Sequence, residues 1–178
     1  SNTIQQASYV LDIGPLAGTG GGEVVYAGET AGLLDAEGSI TGQYLSGRRS
    51  VPRKRVRDYA PITDATPGLT LYHARTNNLK SVTVRFPLGA LVGVAGVSGS
   101  GKSSLVSDTL VPLLERHFAD LRERKYNGAD EDEEVDYVVP SPVAEKLDGM
   151  DALSGFSQVS QAPIGRRSNS NPATYVNI

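Results

Sequence analysis

Eight residues, Gly96 to Ser103, read GVSGSGKS, and no other stretch limits the possible folds of this chain so tightly. The apolar segment LVGVA precedes them, and Leu105, Leu110, Leu113, Leu114, Phe118 and Leu121 follow on roughly one face of a helix. A buried strand, a glycine bend and an amphipathic helix in that order predict an α/β fold of the P-loop NTPase kind. Gly96, Gly99 and Gly101 admit backbone conformations closed to residues with a Cβ, so successive N–H groups can turn inward on one anion. The helix beginning near Lys102 adds its positive end. The pattern G-x-x-x-x-G-K-[ST] fits the phosphates of a nucleoside triphosphate. Gly96, Val97, Ser98, Gly99, Ser100 and Gly101 would form the cradle. Lys102 would reach the β- and γ-phosphates, and Ser103 would offer its hydroxyl to Mg²⁺ with Ser104 beside it. A nucleoside triphosphate and Mg²⁺ are the expected ligands.

Upstream, Tyr9 to Ile13 and Glu23 to Ala27 read as two strands on either side of a loop with glycines at 18, 20, 21 and 22, followed by a weak helical stretch, Thr30 to Leu34. These pieces hold too little apolar surface for an independent domain and read as the closing elements of one. RRSVPRKRVRD, residues 48–58, sets six basic residues, Arg48, Arg49, Arg53, Lys54, Arg55 and Arg57, against one acid. Together with the Pro- and Thr-rich stretch after it, the run reads as a connector or as a patch contacting nucleic-acid phosphates. LTLYHA and KSVTVRF read as outer strands, the second with Val82, Val84 and Phe86 on one face, and LVGVA as the buried strand at a sheet centre. Pro112 should kink the helix or end its first segment. His117 reads as a histidine of the helix face, and DEDEEVD, residues 130–136, as a solvated acidic loop. Alternation from Phe156 to Ser160 suggests a short strand that stops at Gln161, a polar residue that could approach Mg²⁺ or the attacking water or simply cap a loop.

Several function classes are excluded by composition. A net charge of −3 gives no overall basic field, so any contact with nucleic acid must be local. Without cysteine there is no disulfide framework and no thiolate metal site. The longest uncharged apolar run, Leu88 to Val97, is far short of a membrane span, and the opening SNTIQQASYVLDIG lacks the features of a secretion signal, which points to the cytoplasm. With no initiator Met, the chain is expected to be a piece of something longer.

Five blocks, VLDIGPLAGTGGGEVVYAG, ITGQYLSG, TNNLKSVTVRFPLG, GVSGSGKSSLVSDTL and SQAPIGRRSNSNPATY, occur in this order. Together they resemble the UvrA family, the DNA-damage-recognising ATPase subunits of the bacterial excinuclease, which carry two ABC-type nucleotide-binding domains with a mixed sheet. The resemblance implies that residues 1–47 end the first such domain, 48–67 connect, and 68–178 begin the second. It makes Gly96 to Ser104 the second domain's phosphate loop and Gln161 its Q-loop glutamine, near Mg²⁺ through the nucleotide. It also implies damaged duplex DNA and a UvrB-type subunit as partners, a homodimer of the intact parent, and no membrane. Zinc is implied only for cysteine modules not represented in these residues. The LSGG signature, a Walker B strand ending in Asp-Glu and a switch histidine are not represented either, so this chain alone is expected not to hydrolyse ATP. Leu16 stands where the family's GPGAG segment has a small residue, as in a diverged paralogue. A transporter-type or resistance ATPase of similar build, a small P-loop kinase and a truncated product without function are the competing readings.

Overall fold

The structure, a computed structural model, describes Ile4 and residues 6–42, 61–126 and 142–159. Its strands are β1 (Tyr9–Gly14), β2 (Glu23–Glu29), β3 (Gly68–Ala74), β4 (Val82–Pro87), β5 (Val92–Ala95) and β6 (Lys146–Asp148). Its helices are α1 (Lys102–Leu105) and α2 (Val111–Tyr126), joined by a π-helical turn, Val106–Leu110. The strands form two sheets of three, ordered β2-β1-β5 and β4-β3-β6.

The first sheet is mixed. β1 runs antiparallel to β2, with Leu11 opposite Ala27, and parallel to β5, with Leu11 opposite Val94 and Asp12 opposite Ala95. Among the described strands β1 therefore takes the central place expected for LVGVA, and β5 lies at an edge. Burial follows the neighbours: Val10 to Gly14 are all buried, whereas Val92, Gly93 and Val94 are half-buried. A run of apolar residues shows that a strand is wanted inside, but not which strand has partners on both sides.

The second sheet is antiparallel throughout. Val82, Val84 and Phe86 are buried on one face of β4 with Thr83 exposed between them, as the period-two pattern requires. β6, too short for alternation to reveal, pairs with β3 through Leu147 opposite Leu71.

Leu11 and Ile13 from the first sheet, Leu71, Val84 and Phe86 from the second, and Leu105, Leu114 and Phe118 from the helical stretch share one hydrophobic core. The segments on either side of residues 43–60 thus meet in a common interior.

Three further expectations change. Thr30–Asp35 is a 3₁₀ turn that buries only Leu33, too short and too glycine-containing for an α-helix. Leu121 is 40% exposed, beyond the part of α2 that faces the sheets. Residues 156–159 form no strand, because no described strand lies beside them: Phe156 stacks on Phe118 at 5.8 Å between ring centres, while Val159 is 95% exposed.

The helix irregularity falls just ahead of Pro112. Lacking an N–H, proline cannot donate to the regular ladder, and its ring crowds the carbonyl four residues earlier, here Asp108. The chain widens there by one residue, and the Val111 N–H donates to Val106 O. Thr109, fully buried, secures the turn. Its Oγ1 bonds Ser104 O at 2.6 Å and Thr76 Oγ1 at 2.7 Å. A carbonyl only accepts, so the Thr109 proton goes to Ser104 and the Thr76 hydroxyl supplies the other bond. Half-buried His117 meets the Phe118 ring edge-on at 5.1 Å, which is a packing role.

Asp12 is the buried carboxylate of β1, 1% exposed. Ser39 Oγ donates to its Oδ2 and Thr41 Oγ1 to its Oδ1 at 3.0 Å, while Ser39 Oγ accepts the Gly42 N–H at 2.8 Å. A buried acid without hydrogen bonds would cost several kcal/mol. Those two hydroxyls therefore fix where residues 39–42 lie against the sheet.

Candidate nucleotide-binding site

β5 delivers the chain into the glycine bend, and α1 leaves it at Lys102, so strand, bend and helix follow in the expected order. Gly96 lies at φ +138°, and a Cβ there would stand 2.1 Å from Ile13 O and 2.6 Å from Ser100 Oγ. Only glycine lets the bend leave the sheet this close to β1. Gly101 precedes the helix at φ 121° and no side chain caps the helix start. The first helical N–H groups have no partner four residues back, which leaves donors and a positive dipole end for an anion.

Ser98, Gly99, Gly101, Lys102, Ser103 and Ser104 line one concavity of about 280 Å³ with Asn78. Lys102 is folded back on the bend: Nζ donates to Gly96 O at 2.9 Å and to Val97 O at 2.7 Å. An ammonium has three protons, so one is left for an oxygen arriving from outside. Ser103 is exposed at the first turn of the helix. Ser104 is buried, and its Oγ accepts from Asn77 Nδ2 at 3.0 Å. Gly96 and Val97 sit behind, along a narrow cleft with Asp12 and Thr41.

Ser100 is turned inward. It is fully buried, its N–H closes a turn onto Val97 O at 3.2 Å, and its Oγ has no hydrogen-bond partner among the described residues. Gln161 and the six basic residues Arg48, Arg49, Arg53, Lys54, Arg55 and Arg57 lie outside the described residues, as does the acidic run 130–136.

A nucleotide's phosphates with Mg²⁺ fit what is present. The bend is one that a Cβ at Gly96 would prevent, the donors beside the concavity include a lysine ammonium and unspent helix amides, and a hydroxyl stands at the helix start for a divalent cation. No group of three or more His, Cys, Asp or Glu gathers among the described residues, so such a cation would need phosphate oxygens among its ligands.

Two neighbouring segments brace the bend, a role that the sequence reading did not assign to them. The loop between β1 and β2 gives Gly18 N–H to Gly99 O at 3.0 Å and Gly22 N–H to Ser100 O at 2.8 Å. The β3–β4 turn contributes Asn77, whose Nδ2 also reaches Asp108 Oδ2 at 3.0 Å, and Asn78. It is tied to the first loop by Lys80, through its N–H to Gly22 O at 2.8 Å and its ammonium to Glu23 at 2.9 Å. The signal in the sequence was the paired asparagine at a strand-to-strand turn, where a left-handed residue is common; Asn77 has φ 53°.

No protein-family model matches the chain. It is 44% identical over 177 residues to "UvrABC system protein A" of Streptomyces avermitilis, a match that covers 99% of this chain and 16% of that protein. To the protein of the same name in Escherichia coli K12 it is 41% identical over 181 residues, which is 99% of this chain and 17% of the relative. A crystal structure of UvrA2 from Deinococcus radiodurans is 38% identical, with 98% of this chain and 20% of that one covered and a TM-score of 0.47. The chain spans about a sixth of the length of the curated relatives it matches. Among the described residues no helix is long and apolar enough to cross a membrane.

Proposed function

We infer that this chain is a segment of a UvrA-family protein and that its glycine bend binds the phosphates of ATP together with Mg²⁺. The observation that carries the reading is the bend between β5 and α1, with Lys102 folded over it and uncapped helix amides at its base. Similarity over 99% of the chain, basic connector included, supports a repair ATPase over a transporter ATPase.

In this reading residues 1–47 close one ABC-type domain, 48–67 connect, and 68–178 open the next. On that division the β1–β2 hairpin completes the sheet that carries the second domain's loop. Lys102 swings from the loop carbonyls to the β- and γ-phosphates, exchanging two neutral acceptors for charged ones. The amides of Gly101 and the first helical turn take the remaining oxygens, and Ser103 supplies a hydroxyl to Mg²⁺, with Gln161 near the same ion. Bound Mg²⁺ neutralises phosphate charge.

The parent protein, as a homodimer, then uses ATP binding and hydrolysis to distinguish distorted from regular duplex and to load a UvrB-type subunit, reading shape and deformability rather than base sequence. The chain alone carries no Walker B carboxylates, signature or switch histidine, so it binds without turnover.

Calorimetric titration of Mg·ATP into the chain tests the site. Saturable binding is expected, with Lys102→Ala weakening it by about a hundred-fold or more, the scale of removing a charge-assisted bond to phosphate. Equal affinity in the two proteins removes the site, and absence of phosphate release by the wild-type chain is the expected result of an accompanying turnover assay.

A further inference from the structure

Asn78 stands half-buried on the concavity, and its amide nitrogen lies 3.1 Å from Gly18 O, 3.3 Å from Gly99 O and 3.1 Å from Ser100 O. All three neighbours can only accept, so the nitrogen and not Oδ1 must face them. The two loop carbonyls also accept the N–H groups of Gly18 and Gly22, and the two protons of the amide are shared among the three oxygens.

In a trans peptide the N–H points opposite the C=O. Fixing Gly99 O therefore sets the Ser100 N–H on the far side, where it bonds Val97 O. Fixing Ser100 O likewise sets the Gly101 N–H on the far side, where it has no acceptor among the described residues. The contact has little slack, because a Cβ on Gly22, at φ +77°, would stand 1.8 Å from Asn78 O.

We propose that Asn78 is a positioning residue for the nucleotide. Its amide holds the carbonyls of Gly99 and Ser100 turned back, so that the Gly101 N–H is kept for a phosphate oxygen before any ligand arrives. The proposal rests on the reading of the bend as a nucleotide site. A glycine-rich loop left unset would have to be ordered on binding, and the entropy of ordering subtracts from affinity.

The test uses the whole chain with Asn78→Ala and Asn78→Asp, titrated with Mg·ATP. Asn78→Ala is expected to bind about ten-fold more weakly, equivalent to about 1.4 kcal/mol. Asn78→Asp has the same shape but, when ionised, turns only acceptors toward three carbonyls, so at about pH 8 it is expected to bind more weakly still. As pH falls toward about 4 the carboxyl regains an O–H donor, and its affinity relative to wild type recovers. A side chain that merely fills space gives Asn78→Asp the wild-type affinity at every pH.

Equal affinity in all three proteins overturns the proposal. So does unfolding of both variants, which makes Asn78 a residue of the fold and not of the site. If wild type binds no Mg·ATP, the nucleotide reading fails instead. Amide hydrogen exchange at Gly18 and Gly22 then still decides the clamp: faster exchange in Asn78→Ala supports it, and unchanged exchange overturns it.

Discussion

Gly96 shows how little freedom single residues have at this site. Its φ of +138° and the 2.1 Å that would separate a Cβ from Ile13 O act together, the first a backbone strain and the second a backbone clash. Gly96→Ala should cost about 3 kcal/mol or more, and Mg·ATP binding should fall with it. Chemical denaturation of the two proteins measures the first, and a difference below about 0.5 kcal/mol would show that the bend is looser than described. The need for glycine here was legible in the motif, because the phosphate-binding pattern itself prescribes Gly96. Asn78 was not legible in that way: an asparagine at a turn has many uses, and only its distances to three carbonyls single out one.

Among the elements, the helical stretch owes its course to two residues with opposite effects. Pro112 forces a departure from the regular ladder, and Thr109 makes that departure tolerable by placing a hydroxyl on Ser104 O. Thr109→Val keeps the volume but leaves Ser104 O and Thr76 Oγ1 each short of a partner in a buried place, at an expected cost of about 2 kcal/mol. Thermal melting checks it, and an unchanged midpoint would mean the widened turn stands without the hydroxyl.

The β1–β2 hairpin carries a pH dependence. The Tyr26 hydroxyl donates to Glu29 O, and burial, reinforced by Tyr9 and the carboxylates of Glu29 and Asp35, raises its pKa above the usual tyrosine value. The fold thus favours the neutral phenol. The stability this contributes is complete below the unfolded-state pKa of about 10 and is lost as pH rises through the higher folded value. Comparing the phenolate absorbance titration of wild type and Tyr26→Phe should show the missing tyrosine ionising on the alkaline side of an ordinary one. Pattern alone located both elements, since Pro112 announces a kink and Val24 to Tyr26 a strand, but not the hydroxyl partners, of which Thr76 lies 33 residues from Thr109.

For the whole molecule, one core joins the segments before and after the connector. The proposed contact of the basic run with DNA is tested on the parent protein. Replacing Arg48, Arg49, Arg53, Lys54, Arg55 and Arg57 by neutral residues should lower that protein's DNA affinity and flatten its salt dependence, by up to about 0.9 logarithmic unit of slope for each phosphate no longer neutralised. Equal binding at low salt would leave the run a connector. What the sequence determined by itself is local: a strand, a glycine bend and a helix in succession, with Lys102 and Ser103 at their junction, because neighbouring residues make that geometry. Which strand lies at the sheet's centre, and what braces the bend, was decided only in three dimensions. Gly18 and Asn78 are 60 positions apart, and an apolar pattern says that a strand is buried without saying beside what. β1 took the centre because it found a neighbour on each side, and the bend acquired its backing because two distant loops end against the same two carbonyls.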